Sequence, residues 1–115
     1  METNYLVVDM GTGNSRVGLV SADGTIWGIR NYENQYYKDK QYEDAQYFLP
    51  EEWEQNLLGG CNELLEEFPD HPVRAITSSG ARESIVLYNK EGKAYLGLPN
   101  IDNRGRAWMA EIEDC

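Results

Sequence analysis

The sequence predicts an α/β fold built on a mixed sheet, and three observations lead to this prediction. The chain opens with three short apolar segments joined by turn residues. A helical pattern follows from Pro50 to Phe68. A further strand-like segment comes directly after that helix. Because a helix between neighbouring strands usually makes a parallel crossover, one sheet should contain both antiparallel and parallel pairs.

The three opening segments are predicted to form an antiparallel meander. Residues 5–9 (YLVVD) and 15–22 (SRVGLVSA) are rich in Val and Leu and too short for helices. Asp23-Gly24 is the strongest short hairpin signal. Residues 25–32 (TIWGIRNY) then form the third strand.

Residues 31–48 differ in character, because they hold five of the eight tyrosines among amide and charged side chains. Neither strand nor helix periodicity persists there. Two interpretations stay open. The segment is an edge strand running into a long surface loop, with its tyrosines lying on the body, or it is an aromatic contact surface for a partner.

Pro50 is expected to begin a helix, with acidic residues in its first turn where the helix dipole favours negative charge. Gly59-Gly60 in its middle indicates close packing against a sheet. Cys61 falls on the apolar side and is therefore expected in the core. The apolar stripe at helical spacing consists of Trp53, Leu57, Cys61, Leu64 and Phe68.

After the helix, residues 73–79 (VRAITSS) and 83–89 (ESIVLYN) are predicted strands, followed by a turn and a short strand at 94–98. A second helical pattern starts at Arg104, with Trp108 and Ile112 on one face. Three meander strands, a helix and a further strand form the opening order of a ribonuclease H-like or actin-like half-domain.

Composition narrows the classes of partner. The chain has 115 residues, which suits one unit, and its net charge of -10 repels nucleic acid and anionic lipid. No apolar run approaches the roughly 20 residues of a membrane span. The amino terminus does not have the pattern of a signal peptide. Cys61 and Cys115 lack metal-ligand spacing. A cytoplasmic location with reduced thiols is expected.

The segment DMGTGNSR, residues 9–16, is the first candidate site. Asp9 ends an apolar strand, and glycines in the following turn let backbone amides approach a phosphate group closely. Thr12 and Ser15 add hydroxyls and Arg16 adds a positive charge. A magnesium ion bound to phosphates takes one or two carboxylates, which suits Asp9.

Three other motifs fail on this segment. A dinucleotide-binding fingerprint needs glycine where Arg16 stands, and a P-loop needs a lysine that is absent. A small dimeric aspartic protease needs Thr or Ser directly after the acid, where Met10 stands. A plain structural hairpin remains an alternative.

Two further stretches carry candidate ligand-binding residues. Arg82 and Glu83 precede an apolar strand; an Arg fork donates and a Glu accepts, which suits a polyol, although an ordinary strand start is equally compatible. Asp102 precedes the last helical pattern, where Asp102 or Asn103 is also a reasonable helix cap.

Taken together, these stretches resemble the FGGY family of carbohydrate kinases. DMGTGNSR is similar to the family's first phosphate motif, and ARESIVLYNKEGKAYLGLPNIDNR, residues 81–104, is similar to its sugar-binding segment. Arg-Glu followed by Ser is similar to glycerol kinases, and RESIVLYNKEG followed by NIDNR looks like the autoinducer-2 kinase group. FLPEEWEQNL resembles the stretch that opens the family's first long helix.

The resemblance implies ATP-dependent transfer of the γ-phosphoryl group to a hydroxyl of a sugar, polyol or autoinducer-2-like compound. Asp9 would help to hold Mg²⁺. Arg82, Glu83 and Asp102 would face the substrate. Gly13 and Asn14 stand where many members of the family carry hydroxyls, so the resemblance implies contacts to phosphate from the backbone at these two positions. The residues that would face the ATP phosphates are Gly11, Thr12, Gly13, Asn14 and Arg16.

Members of this family are several times longer, so residues 1–115 are expected to be the amino-terminal part of the first domain. The general-base Asp and the ATP-binding second domain would lie beyond residue 115, and this piece alone should not turn over substrate. Exposed apolar surface around Trp108, Met109 and Ile112 should favour self-association. The alternative is a non-enzymatic actin-like module that binds nucleotide or sugar as a regulator.

Overall fold

The computed structural model describes residues 2–113, so Cys115 and its expected thiol state lie outside the described residues. These residues form two units. The first comprises the residues up to Asn34 together with Glu51–Ala81, and the second comprises Gln35–Pro50 and the residues from Arg82 onward. Along the chain the elements are β1 (Asn4–Met10), β2 (Asn14–Ser21), β3 (Ile26–Glu33), β4 (Tyr37–Lys38), β5 (Gln46–Tyr47), α1 (Pro50–Glu67), β6 (Val73–Ser79), β7 (Ile85–Tyr88), β8 (Ala94–Leu98), a 3₁₀ helix (Arg104–Trp108) and α2 (Met109–Glu113).

The first unit is a four-stranded sheet in the order β3-β2-β1-β6. β2 pairs antiparallel with both β1 and β3. The chain then crosses through α1, and β6 pairs parallel with β1. The predicted α/β class with a mixed sheet and a helix is confirmed.

The core of this unit lies between the sheet and α1. Four fully buried side chains form its centre, and alternate residues of β2 point towards it as a half-buried strand requires. Burial raises the pKa of the Cys61 thiol, in keeping with its predicted core position. The central side chains are Leu6, Val17, Leu19 and Leu64, with Val8, Trp27, Leu57, Cys61, Phe68 and Val73 packed around them.

Close approach of α1 to the sheet explains one of the two helix glycines. A Cβ at Gly60 would lie 2.9 Å from the Tyr32 hydroxyl, whereas a Cβ at Gly59 would meet nothing within 4 Å. On the sheet side, a Cβ at Gly28 would lie 2.8 Å from the Phe68 ring. The predicted close packing is therefore confirmed for Gly60 and not for Gly59.

The second unit contains two short antiparallel pairs, β4 with β5 and β7 with β8. The backbones of Phe48 and Gly97 exchange two hydrogen bonds of 2.9 Å, which join the two pairs. A Cβ at Gly97 would overlap the Phe48 ring, so the aromatic ring needs a glycine beneath it. Tyr37 and Tyr47 stack across β4 and β5 with ring centroids 5.4 Å apart.

Three local predictions differ from the structure. The strand predicted at residues 83–89 begins at Ile85, because a turn with Glu83 at a φ of 58° precedes it. The predicted last helix begins as a 3₁₀ helix and becomes α-helical at Met109. Asn103 stands at its cap position but makes no side-chain capping hydrogen bond. Trp108, Met109 and Ile112 are exposed as predicted. Within residues 2–113, no helix is long and apolar enough to cross a membrane.

Candidate functional site

The turn between β1 and β2 is short and closed by its own backbone. The Gly11 N–H donates to the Asn14 carbonyl at 3.0 Å, which leaves Thr12 and Gly13 at the tip. One residue, Met10, separates Asp9 from this turn, and Asp9 pairs across the ladder with Arg16. The structure thus brings the six predicted phosphate- and metal-site residues together at one end of a single hairpin. They are Asp9, Gly11, Thr12, Gly13, Asn14 and Arg16.

The Asp9 carboxylate is open to solvent and weakly engaged. Its Oδ2 lies 4.0 Å from Nη1 of Arg16, and the side chains are 51% and 55% exposed. An exposed ion pair at this distance contributes little to stability, so neither charge is committed to the fold. Both side chains are free to move towards a ligand.

The two glycines of the turn stand in different surroundings. A Cβ at Gly11 would lie 2.9 Å from the backbone oxygen of Asn14, so the closed turn excludes a side chain there. A Cβ at Gly13 would meet nothing within 4 Å. The fold therefore needs glycine at position 11, while at position 13 the missing side chain leaves open space above the backbone.

One residue that the sequence reasoning missed holds this turn from the side. Nδ2 of Asn34 donates to the Gly11 carbonyl at 2.6 Å and to the Thr12 carbonyl at 3.3 Å. The Asn34 backbone N–H donates to the Gly13 carbonyl at 2.9 Å. Oδ1 of Asn34 accepts from the hydroxyl of Ser15 at 2.7 Å. The predicted hydroxyl donor Ser15 is 2% exposed and thus supports Asn34 from inside the fold.

The face of the sheet that carries Asp9 is not covered by α1. A groove of about 200 Å³ runs along it, and Asp9 and Arg16 are among its lining residues. Its apolar lining consists of Val7, Gly18, Val20, Ile26 and Ile29. Asp9 therefore lies beside an open surface next to the turn and not in a dry interior.

The chemistry of a metal at this place is set by a single carboxylate. Among residues 2–113, no group of three or more His, Cys, Asp or Glu side chains could hold a metal ion. One half-exposed carboxylate suits Mg²⁺ that keeps waters and takes its remaining ligands from phosphates. The donor set fits a metal that arrives with a phosphate ligand and does not fit a resident all-protein site.

Arg82 and Glu83, in the second unit, occupy a turn whose backbone is held by other groups. The Arg82 carbonyl accepts from Nδ2 of Asn100 at 3.0 Å. Glu83 has a φ of 58°, a left-handed conformation that is uncommon for a non-glycine residue. Within residues 2–113, neither the guanidinium of Arg82 nor the carboxylate of Glu83 has a hydrogen-bond or ion-pair partner. Both charged groups are available to a ligand.

Asp102, also in the second unit, is held firmly. Its Oδ1 accepts from the Gln46 N–H at 2.8 Å, and Nε of Arg104 donates to both oxygens at 3.0 and 2.9 Å. Arg104 also lies 3.5 Å from Asp39. The Asp102 side chain is 11% exposed. These contacts connect β5 to the start of the 3₁₀ helix, so Asp102 does not cap that helix in the way the local sequence suggested.

Comparison with known proteins gives one curated relative and several solved structures. The Bacillus subtilis (strain 168) protein named "Putative sugar kinase YoaC" is 38% identical over 113 residues, which are 98% of this chain and 23% of that protein. No family model matches the sequence. The chain thus spans about a quarter of the length of this relative.

Crystal structures of several kinases share the fold. Plasmodium falciparum glycerol kinase with ADP matches with a TM-score of 0.86 at 19% identity, over 98% of this chain and 23% of the kinase. Gluconate kinase from Lactobacillus acidophilus matches with a TM-score of 0.86 at 13% identity, over 99% of this chain and 23% of the kinase. The chain therefore has the fold of about a quarter of these kinases, and its curated relative is named as a sugar kinase.

Proposed function

We propose that the chain is the amino-terminal part of an ATP-dependent carbohydrate kinase of the FGGY type. The observation that carries this proposal is the half-exposed Asp9 carboxylate next to a glycine turn with open space above Gly13. The likeness to a named sugar kinase and to glycerol and gluconate kinases supports it.

On the phosphate side, the work of this segment is positioning and charge neutralisation. Asp9 supplies one oxygen ligand to a magnesium ion that accompanies the nucleotide. The turn from Gly11 to Asn14 faces the phosphate oxygens and offers them the open Gly13 N–H at its tip, and Arg16 adds a positive charge. Magnesium-bound ATP supplies the phosphoryl group that is transferred.

On the acceptor side, Arg82 donates hydrogen bonds and Glu83 accepts them from hydroxyls of a sugar or polyol. Asp102 is the third proposed substrate-facing group, and its contacts with Gln46 and Arg104 fix its orientation in advance. Glycerol-like polyols, ketoses and autoinducer-2-like compounds all present the hydroxyl groups that this set requires.

The proposal includes what the segment lacks. Neither a general-base Asp for the acceptor hydroxyl nor an adenosine pocket is assigned to these residues, so a further domain of the kinase has to supply them. We therefore expect the 115-residue chain to bind MgATP weakly, through its phosphates, and to form no ADP in the presence of sugars.

The test is an NMR titration of the ¹⁵N-labelled chain with MgATP and with magnesium tripolyphosphate. Amides of residues 9–16 should shift with both ligands, because the segment recognises phosphates. Asp9→Asn should weaken binding about tenfold or more, since one charged ligand to Mg²⁺ is lost. Asp70→Asn is the matched control, because Asp70 is exposed and precedes the opposite end of the parallel pair β1–β6.

Four kinds of result bear on the proposal. Loss of binding in Asp9→Asn with normal binding in Asp70→Asn supports it. Shifts spread over the whole chain, or equal binding by both variants, would contradict it. ADP formation by the purified chain alone would contradict the division of labour between domains. A full-length chain that binds nucleotide and sugar without turnover would favour the regulatory alternative.

A further inference from the structure

The contacts of Asn34 differ from those of an ordinary strand-end residue. Three successive carbonyls, those of Gly11, Thr12 and Gly13, accept hydrogen bonds from Asn34, two from its side chain and one from its backbone. Asn34 directly follows Glu33, the last residue of β3, which pairs with Asn14. A residue distant in sequence therefore fixes the orientation of the peptide groups at the tip of the turn.

Peptide geometry converts this restraint into a statement about the amides. In a trans peptide the C=O of one residue and the N–H of the next point in opposite directions. The chain contains no cis peptide among residues 2–113. Holding the carbonyls of residues 11, 12 and 13 therefore turns the N–H groups of Thr12, Gly13 and Asn14 the other way.

The result is an open donor at the tip of the turn. The Gly13 N–H has no hydrogen-bond partner within residues 2–113, and the space above Gly13 is open. Successive backbone amides of a turn can form an anion-binding concavity. Because Asn34 takes up the carbonyls on one side, the Gly13 N–H on the other side is left to a ligand.

Ser15 fixes the side-chain amide of Asn34 in turn. Its hydroxyl is buried and donates to Oδ1 of Asn34, which leaves both Nδ2 hydrogens directed at the turn carbonyls. The amide orientation of Asn34 is therefore fixed by a group that no ligand reaches.

We propose that Asn34 is the positioning residue of the β1–β2 turn, and that it directs the amide at the tip of the turn, that of Gly13, towards a phosphate group. The phosphate ligand rests on the proposed kinase function, whereas the orientation of the turn does not. Asn34 acts through the backbone and does not touch the ligand itself.

The test compares Asn34→Ala with Asn31→Ala in the ¹⁵N-labelled 115-residue chain. Asn31 lies on β3, is exposed and has no hydrogen bond to the turn from its side chain, so it controls for a change of amide to alanine on this strand. Without ligand, Asn34→Ala should shift and broaden the amide signals of residues 11–14, whereas Asn31→Ala should leave them in place. With magnesium tripolyphosphate, Asn34→Ala should bind about tenfold more weakly or worse.

Two further variants keep the test decisive if Asn34→Ala unfolds. Asn34→Asp keeps an acceptor for Ser15 but cannot donate to the carbonyls while ionised, so it should lose phosphate binding at least as strongly. Ser15→Ala leaves the donors of Asn34 intact and releases only its orientation, so it should weaken binding about two- to threefold.

The outcomes separate this proposal from the kinase proposal. Unchanged turn signals in ligand-free Asn34→Ala and Asn34→Asp would overturn the positioning role, and so would unchanged affinity for tripolyphosphate. If the unmodified chain binds no phosphate compound, the kinase proposal fails. In that case the ligand-free spectra alone decide whether Asn34 orients the turn.

Discussion

Two turns lie at the two ends of β2, and each has an acid close by, but the acids are used differently. In the β2–β3 turn, Asp23 accepts hydrogen bonds from the hydroxyl of Ser21 and from the Thr25 N–H, and these contacts lower the pKa of Asp23 to about 2. Gly24 completes that turn with a φ of 94°. The acid of the β2–β3 turn is committed to closing the turn.

In the β1–β2 turn the closing contacts come from elsewhere. Asn34 holds the carbonyls, the Gly11 N–H closes the backbone, and Asp9 takes part in neither. Asp9 keeps a half-exposed carboxylate with one loose partner. Because Asp9 does not hold the β1–β2 turn, a separate residue, Asn34, has to stabilise it.

The second unit repeats the contrast. Asp102 is held by a backbone amide and an arginine, whereas Glu83 has an unpartnered carboxylate within residues 2–113 and a strained backbone. Strained backbone conformations persist where surrounding contacts impose them, and they cluster at functional sites. Substitution of a group near these turns shows whether that group stabilises the fold or is left free for a ligand.

The largest effect is expected at Asp102. Asp102→Ala removes charge-assisted hydrogen bonds to Gln46 and Arg104 from a nearly buried position, and should lower the free energy of unfolding by about 2–3 kcal/mol. Urea unfolding measures the change. Glu43→Ala is the control, because Glu43 is exposed, and it should change stability by less than about 0.5 kcal/mol. Equal effects of the two substitutions would contradict a stabilising role for the contacts of Asp102.

The glycines of the β1–β2 turn should separate stability from binding. Gly11→Ala forces a Cβ against the Asn14 oxygen and should cost about 1–3 kcal/mol of stability. Gly13→Ala meets open space and should leave the urea midpoint almost unchanged. It should nevertheless weaken tripolyphosphate binding, because the added methyl occupies the approach to the amides. A Gly13→Ala chain that binds normally would contradict the proposed phosphate contact at the tip of the β1–β2 turn.

Glu83 offers a test of strain beside function. Glu83→Gly relieves a left-handed backbone and should raise the free energy of unfolding by about 0.5–1 kcal/mol, while removing the proposed hydroxyl acceptor. Glu91→Gly, at a turn residue without positive φ, should instead lower stability by a similar amount. If both changes lower the free energy of unfolding equally, the left-handed backbone at Glu83 does not destabilise the folded chain.

The smallest expected effect concerns pH and Asp23. Its pKa is lowered from 3.8 to about 2 in the folded chain, so the unfolded chain binds this proton more readily. The stabilisation is present above about pH 4 and is lost as the pH falls towards about 2. Between these limits, Asp23→Asn should lose less stability than the parent chain in urea unfolding. Asp70→Asn should follow the parent, and an equal loss in Asp23→Asn would contradict the committed role.

Much of the fold follows from local signals. Periodicity predicts the apolar strands, and a helix-start residue predicts the helix that begins at Pro50. The general rule on crossover connections predicts the parallel pairing of β6. Each of these signals can be recognised within a short stretch of sequence. The turn before Ile85 has no such signal, because Glu83 is not a residue type that indicates a positive φ. The strand was therefore predicted to start two residues too early.

Asn34 illustrates a contact that the sequence could have revealed. A hairpin centred between Asp23 and Gly24 places residue 34 opposite residue 13. In the structure Val20 pairs with Ile26, and a bulge at the next pair of β2 and β3 restores the register of the simple hairpin. The contact of Asp102 with Gln46 is different, since it joins residues 56 positions apart with no repeating pattern between them.

We propose that Asp9 holds a metal ion that arrives with phosphate, whereas Asp23, whose carboxylate closes its own turn, does not. Mn²⁺ in place of Mg²⁺, added with ATP, broadens amide signals close to the metal. The two turns lie about 25 Å apart at the ends of an eight-residue strand, so the effect should be strong at residues 10–14 and absent at residues 22–25. It should disappear in Asp9→Asn. Broadening centred on the β2–β3 turn or on the acidic start of α1, or broadening that persists in Asp9→Asn, would contradict the claim.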